Sequence, residues 1–173
     1  MYFRYKSKIL KIYVTASALT DPLYDLVHRY RLLKGKEDRA AKTNRFGTTK
    51  IKRPKGPLTW FHAASVGESL TVLPLIEKLL SNDKDLHVLL TTQTLASARI
   101  LQQRLPPRAI HQVVPYDTDK ATARFLDHWK PDLAVWTESD LWPTIMLKTK
   151  QHGIPMALVN ARVSSNTIKK WRQ

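Results

Sequence analysis

The sequence predicts an α/β fold, a parallel sheet with helices on both faces, and three observations carry that reading. From Leu58 onward, short apolar runs alternate with stretches of helical periodicity. The last four apolar runs start 23 residues apart, at Leu86, Ala109, Asp132 and Pro155. Residues suited to capping or stopping helices fall between the two kinds of segment, among them Thr94, Thr118, Asp140, Pro106-Pro107 and Gly153. Strands and helices alternating at such lengths form right-handed β-α-β units. The spacing recurs because the unit recurs, and the chain is not a solenoid.

Taken in order, residues 1–33 read as one or two short amphipathic helices broken near Asp21-Pro22. Two readings stand for them: a basic surface lying on an anionic membrane, or helices packed on the chain's own domain. Residues 34–57, rich in Lys, Arg, Thr, Gly and Pro, read as a loop or partly ordered connector whose cations bind phosphate or are simply solvated. Strands are expected at 58–63, 86–91, 109–114, 132–136 and 155–160. Helices are expected at about 69–80, 95–105, 120–129 and 141–150, with Thr94, Thr118 or Asp119, and Asp140 as N-caps. Pro74 inside the first of these removes a backbone donor, so a kink or a late helix start is expected there. The organisation expected is a basic amphipathic segment and connector over 1–57, membrane-proximal on the first of those readings, and an α/β domain over 58–173.

Composition bounds the chemistry. With 173 residues and 43% hydrophobic content, the chain can bury one sizeable core. It has no cysteine, which excludes disulfides and thiol catalysis. The net charge is +15, and residues 1–57 hold most of it, 15 basic against 4 acidic. An excess of that size calls for an anionic partner. No nucleic-acid motif is present, nor a Walker loop, GxGxxG or GxSxG, nor an apolar stretch near the roughly 20 residues that cross a bilayer. No ligand spacing for a metal is seen, and no signal peptide.

In open α/β sheets, ligands bind beyond the carboxyl ends of the strands. The expected rim therefore gathers Ser65 to Glu68, Thr91 to Thr94, Tyr116-Asp117, Thr137 to Asp140 and Asn160 to Arg162. Ser65-x-x-Glu68 has the form of a capping box. Equally, Gly67 lets a substrate approach the backbone, and Glu68 is placed to accept a hydroxyl proton as general base. Glu138 is a rim carboxylate without a basic neighbour in sequence. His62 reads first as a hydrogen-bonded core histidine.

Five segments in order, WFHAASVGESLTVLPLI, LLTTQTLASA, HQVVPYDT, RFLDHWKPDLAVWTESDLWP and IPMALVNARVS, resemble the amino-terminal half of the Kdo transferases (3-deoxy-D-manno-octulosonic acid transferases). The resemblance implies a Rossmann-like domain, half of a GT-B glycosyltransferase. It implies inverting transfer of Kdo from CMP-Kdo to the lipid A precursor in lipopolysaccharide synthesis, without cofactor or metal, at the cytoplasmic face of the inner membrane. It implies that Glu68 is the proton acceptor and that Glu138 stabilises the transition state. Ser65, Gly67, Thr92, Asp140 and Arg162 are then expected to touch substrate. Asp140 stands where the family more often has Glu, and Thr144 where it often has Asn. The chain is expected to lack the second domain, which holds most of the CMP-Kdo site, and so to be inactive alone. The competing reading is a non-catalytic basic module that binds anionic lipid or nucleic acid.

Overall fold

The computed structural model describes residues 8–39, 41–138 and 140–161. Two helices come first, α1 (Lys8–Leu19) and α2 (Asp21–Leu33), then a single turn, α3 (Lys42–Arg45). From there strands and helices alternate: β1 (Leu58–His62), α4 (Val66–Asn82), β2 (His87–Thr92), α5 (Leu95–Arg104), β3 (Ala109–Val113), α6 (Asp119–Trp129), β4 (Leu133–Thr137), α7 (Pro143–Gln151) and β5 (Met156–Val159). All pairings are parallel and the strand order is β3-β2-β1-β4-β5. The chain thus winds outward one way from β1 and then the other way from β4. The switch in direction opens a crevice at the carboxyl ends of those two strands.

Strand alternation builds a core on each face of the sheet. Phe61, Val88, Leu90 and Val135 meet Val72, Ile76 and Leu101 of α4 and α5 on one side. Trp60, Leu89 and Trp136 meet Phe125, Trp129 and Ile145 of α6 and α7 on the other. Trp60 sits edge-on to both Trp136 and Phe125, with ring centres 5.0 and 4.9 Å apart. Its buried Nε1 donates to Thr91 Oγ1 at 2.8 Å, so this large side chain leaves no unpaired donor in the core.

The basic first third is folded onto this domain. α1 packs across α6 and α7. On α2, Tyr24, His28 and Arg31 recur at helical spacing and face inward: Tyr24 stacks against Tyr116 at 4.6 Å, and His28 Nδ1 lies 3.1 Å from the Tyr116 hydroxyl. The connector after α2 is pinned by a buried ion pair. Arg45 binds Glu37 at 3.1 Å and also donates to the carbonyls of Val114 and Gln93, at the ends of β3 and β2. A buried charge pair is tolerable only when its remaining donors are satisfied, which these carbonyls achieve. Arg53 likewise donates to Trp129 O and Gly56 O. Arg45 and Arg53 are therefore structural ties, where phosphate binding or solvation was expected of the connector's cations.

Two expectations about helix ends need correction. α4 begins at Val66 and runs through Pro74, so the proline does not delay the helix start. Asp140 does not cap α7, whose N-cap position is Trp142 with no side-chain cap. The orphan donors there are met from another element: buried Asp117 accepts from Thr144 N at 3.0 Å and Ile145 N at 2.8 Å. Its carboxylate also accepts the Tyr13 hydroxyl at 2.8 Å, tying α1 to the same point. Pro143, lacking an N–H, takes the first helical position without loss. Thr94 and Thr118 do cap α5 and α6, as expected.

Gly47, after α3, has φ +79°, and a Cβ there would lie 1.9 Å from the Ala121 carbonyl oxygen. Gly35 has φ +64° but open space around it. Gly47→Ala is therefore expected to cost more than about 2 kcal/mol in urea unfolding, and Gly35→Ala only the roughly 1 kcal/mol of left-handed strain. Equal losses for the two would contradict this docking of the connector on α6.

Candidate active site

The site is assembled from the ends of β1 and β4. β1 delivers His62 and then the turn Ala64-Ser65, where Ser65 is extended (φ −114°, ψ 169°) and caps α4. Ser65 Oγ accepts Glu68 N at 3.2 Å and donates to Glu68 Oε1 at 2.8 Å, and Ala64 N donates to Glu68 Oε2 at 2.8 Å. Ser65 caps the helix as the capping box read from the sequence requires, while the Glu68 carboxylate reaches back to the N–H of Ala64, one residue before the cap. This arrangement leaves Glu68 half-buried at a helix N-terminus, where the macrodipole favours its charge. Each carboxylate oxygen has two lone pairs and only one is used in these bonds, so the group retains capacity for a hydroxyl proton. Around it Gly67 is open, its missing Cβ having only Ser65 Oγ within 4 Å, at 3.9 Å.

β4 delivers Glu138 in a left-handed conformation, φ +60°, which few residues other than glycine adopt. Its N–H bonds to Val159 O at 2.9 Å and its Oε1 accepts Asn160 Nδ2 at 3.1 Å. Asn160, at the end of β5, is itself left-handed at φ +52°. Backbone strain of about 1–3 kcal/mol per residue is thus held at two adjacent strand ends, and it turns Glu138 out of the strand.

The two ends are clamped together by His62. Its ring is buried between Thr91 Oγ1, 3.0 Å from Nδ1, and Asp140 Oδ2, 3.0 Å from Nε2. Gln93 Nε2 donates to the same Asp140 oxygen at 2.5 Å. Burial pushes the Asp140 carboxyl up, but the hydrogen bonds from His62, Trp142 and Gln93 outweigh it and hold the group below its ordinary value. Asp140 is then an ionised acceptor, so His62 Nε2 is the protonated nitrogen. β1, β2 and the loop after β4 are bound into one unit two residues from Ala64 on one side and two from Glu138 on the other.

Behind this clamp lies a cavity of about 190 Å³ between α2 and the strand ends. Trp60 and Trp136 are among the residues that line it, with Tyr24, Tyr116, Val27 and Trp142.

Of the residues expected to form the site, Ser65, Gly67, Glu68, Glu138 and Asp140 gather around the β1/β4 crevice. Thr92 does not: its side chain is buried and its hydroxyl meets His111 Nε2 at 2.9 Å, within the sheet. Burial pushes that histidine down to about 4, so it is neutral. Arg162 lies outside the described residues. Gln93 falls within the expected rim, but its bond to Asp140, the part played by Trp142 and the clamping role of His62 were not read from the sequence. They depend on contacts between positions up to 78 apart in the chain, which no local spacing reveals.

The chain matches a family model described as 3-Deoxy-D-manno-octulosonic-acid transferase (kdotransferase) over residues 40–173. It is 39% identical over 166 residues to the 3-deoxy-D-manno-octulosonic acid transferase of Rickettsia bellii, covering 95% of this chain and 39% of that protein. It is 36% identical over 163 residues to the probable mitochondrial 3-deoxy-D-manno-octulosonic acid transferase of Arabidopsis thaliana, covering 94% of this chain and 36% of that protein. The chain thus spans little more than a third of the length of these relatives.

A carboxyl whose folded value is depressed adds stability above its unfolded value, and that stability disappears as pH falls through the folded one. For Asp140 the loss therefore begins near the ordinary value of 3.8 and continues below it. Asp140→Asn is expected to flatten the fall in urea midpoint over that acid range, and curves of equal slope would show that the clamp carries no charge.

Proposed function

The chain belongs to the 3-deoxy-D-manno-octulosonic-acid (Kdo) transferase family, and we propose that it forms the acceptor side of such an enzyme, transferring Kdo from CMP-Kdo to a lipid A precursor. The observation that carries this reading is the placement of Glu68: a half-buried carboxylate on the β1 side of the topological switch, beside open Gly67, with lone pairs to spare. In the proposed step Glu68 takes the proton of an acceptor hydroxyl as its oxygen attacks the anomeric carbon of Kdo. CMP departs from the opposite face, and the configuration inverts. A positioned base contributes about 10²–10⁴-fold, and no enzyme nucleophile is needed. Glu138, aimed by its left-handed backbone, is proposed to stabilise the transition state, and Ser65, Gly67 and Asp140 to shape the acceptor site. Thr92 and Arg162, expected to touch substrate by the same resemblance, are given no role in this step.

The acceptor is a lipid, and the outer surface of the first two helices suits one. Leu23, Leu26, Tyr30 and Leu33 follow helical spacing along α2 and are exposed, as are Ile12 and Leu19 of α1. Lys34 and Lys36 follow directly. Among the described residues no helix is long and apolar enough to cross a membrane. We place this face in the headgroup region of an anionic membrane, the cytoplasmic face of the inner membrane by proposal, where each nearby cation adds roughly 1 kcal/mol.

The test joins this chain to the carboxyl-terminal remainder of a relative and measures Kdo transfer. Glu68→Gln is expected to lower the rate by about 10²–10⁴ with acceptor binding unchanged. Leu26→Ser with Leu33→Ser is expected to slow transfer to vesicle-borne acceptor and to spare acceptor in detergent. Residues 1–173 alone are expected to bind acceptor without turnover. Undiminished transfer by Glu68→Gln would remove the assignment of the base. Lipid or nucleic-acid binding by charge, with no transfer in any form, would favour a basic binding module.

A further inference from the structure

We propose that the cavity between α2 and the strand ends is an alkyl-chain site, which receives the end of one acyl chain of a lipid held at the rim; the inference rests on the lipid-acceptor reading above. Its lining decides the chemistry. Trp60, Trp136, Val114 and Ile145 supply buried apolar surface. Of the polar side chains that also reach it, the most buried are already paired with other groups of the protein. Arg45 is taken by Glu37 and two backbone carbonyls, His62 by Thr91 and Asp140, and Asp117 by two backbone N–H groups and Tyr13. A sugar or nucleotide entering here would bury hydroxyls against groups already paired, whereas a hydrocarbon loses nothing.

Size narrows the occupant further. At about 190 Å³ the cavity is close to apolar cavities of roughly 150 Å³ that take up a benzene-sized molecule, and below the roughly 300 Å³ of sites that enclose a whole ligand. It fits a chain end. The way in is apolar too: Val27 lines the cavity yet is 37% exposed on the same face of α2 as Leu23 and Tyr30, and Trp142 is 38% exposed beside it. A chain end lying on the apolar outer face of α2 therefore reaches the cavity past Val27 and Trp142. Arg31 and Arg45, both in the lining, share the single carboxylate of Glu37, which leaves a positive charge near the entrance for an anionic head group.

The probe is dodecanoate carrying bromine at either its terminal or its α carbon, titrated below its micellar concentration into the 173-residue chain, with indole fluorescence as readout. The terminally brominated chain is expected to quench saturably and more strongly than the α-brominated one, because its end reaches Trp60 and Trp136. Val27→Phe, which narrows the entrance from an exposed position, is expected to weaken binding by about tenfold, the equivalent of roughly two buried methylenes. Leu33→Ser, on the outer face away from the cavity, is expected to leave it unchanged. Absent or non-saturable quenching would overturn the proposal, as would binding that ignores Val27→Phe and disappears with Leu33→Ser, the signature of adsorption to the outer face. Kdo transfer by the joined enzyme without saturable quenching would sink the cavity site alone. Saturable quenching without transfer would keep the site and sink the transferase reading.

Discussion

The rim of this domain depends on a buried histidine that must satisfy two partners at once. His62 ends β1, and its two ring nitrogens reach Thr91 of β2 and Asp140 of the loop after β4. Parallel strands in such a sheet are joined through their backbones, but nothing in that ladder fixes the loops that leave their carboxyl ends. Here a 3.0 Å hydrogen bond from Nε2 to an ionised carboxylate does so, in a setting where an unpaired partner would be costly. Glu68 and Glu138 both depart from the clamped segment, which is how two residues 70 positions apart can belong to one site.

The same economy recurs in the parts that hold the rim in place. Asp117 caps α7 from the β3–α6 connection and takes Tyr13 of α1, so one carboxylate joins three elements. Arg45 reaches from the connector to the ends of β2 and β3 while paired with Glu37. These ties convert a basic, irregular first third into a layer docked on the domain. Its inward residues build the cavity and its outward residues form an apolar face. Structure and surface chemistry in α2 are separated by helical periodicity alone: Tyr24, His28 and Arg31 face in, and Leu23, Leu26, Tyr30 and Leu33 face out.

What could be read from the sequence follows from the range of the interactions involved. The parallel α/β fold, the five strands and the Thr94 and Thr118 caps are set by local periodicity and by neighbours three residues away, and they were legible. So was the capping box, since Ser65 and Glu68 are one helical turn apart. The cap of α7 was assigned to Asp140 because it lies just before the helix. In the folded chain His62 and Gln93 claim that carboxylate, and Asp117, 27 residues from Thr144 in sequence, takes the vacant role. Thr92 was placed at the rim by its strand position, but strand alternation turns its hydroxyl to His111. Arg45 and Arg53 of the connector looked solvated because they reach carbonyls on distant elements, the ends of β2 and β3 for the first and the end of α6 for the second.

Glu68 concentrates the claim that a structural and a chemical role coincide in one carboxylate. Its bonds to Ala64 N and Ser65 Oγ hold it at the helix start on the β1 side of the switch point, with lone pairs to spare. The most direct measurement is a carboxylate-detected NMR titration of this chain, labelled at Glu and Asp side-chain carbons, with the glucosamine disaccharide head group of the proposed acceptor. The account expects the largest shift at Glu68, accompanied by Glu138 and Asp140, with Glu37 and Asp25 of the docked first third unmoved. Shifts centred on Glu37 and Asp25, with Glu68 silent, would place the acceptor on the basic layer and contradict it.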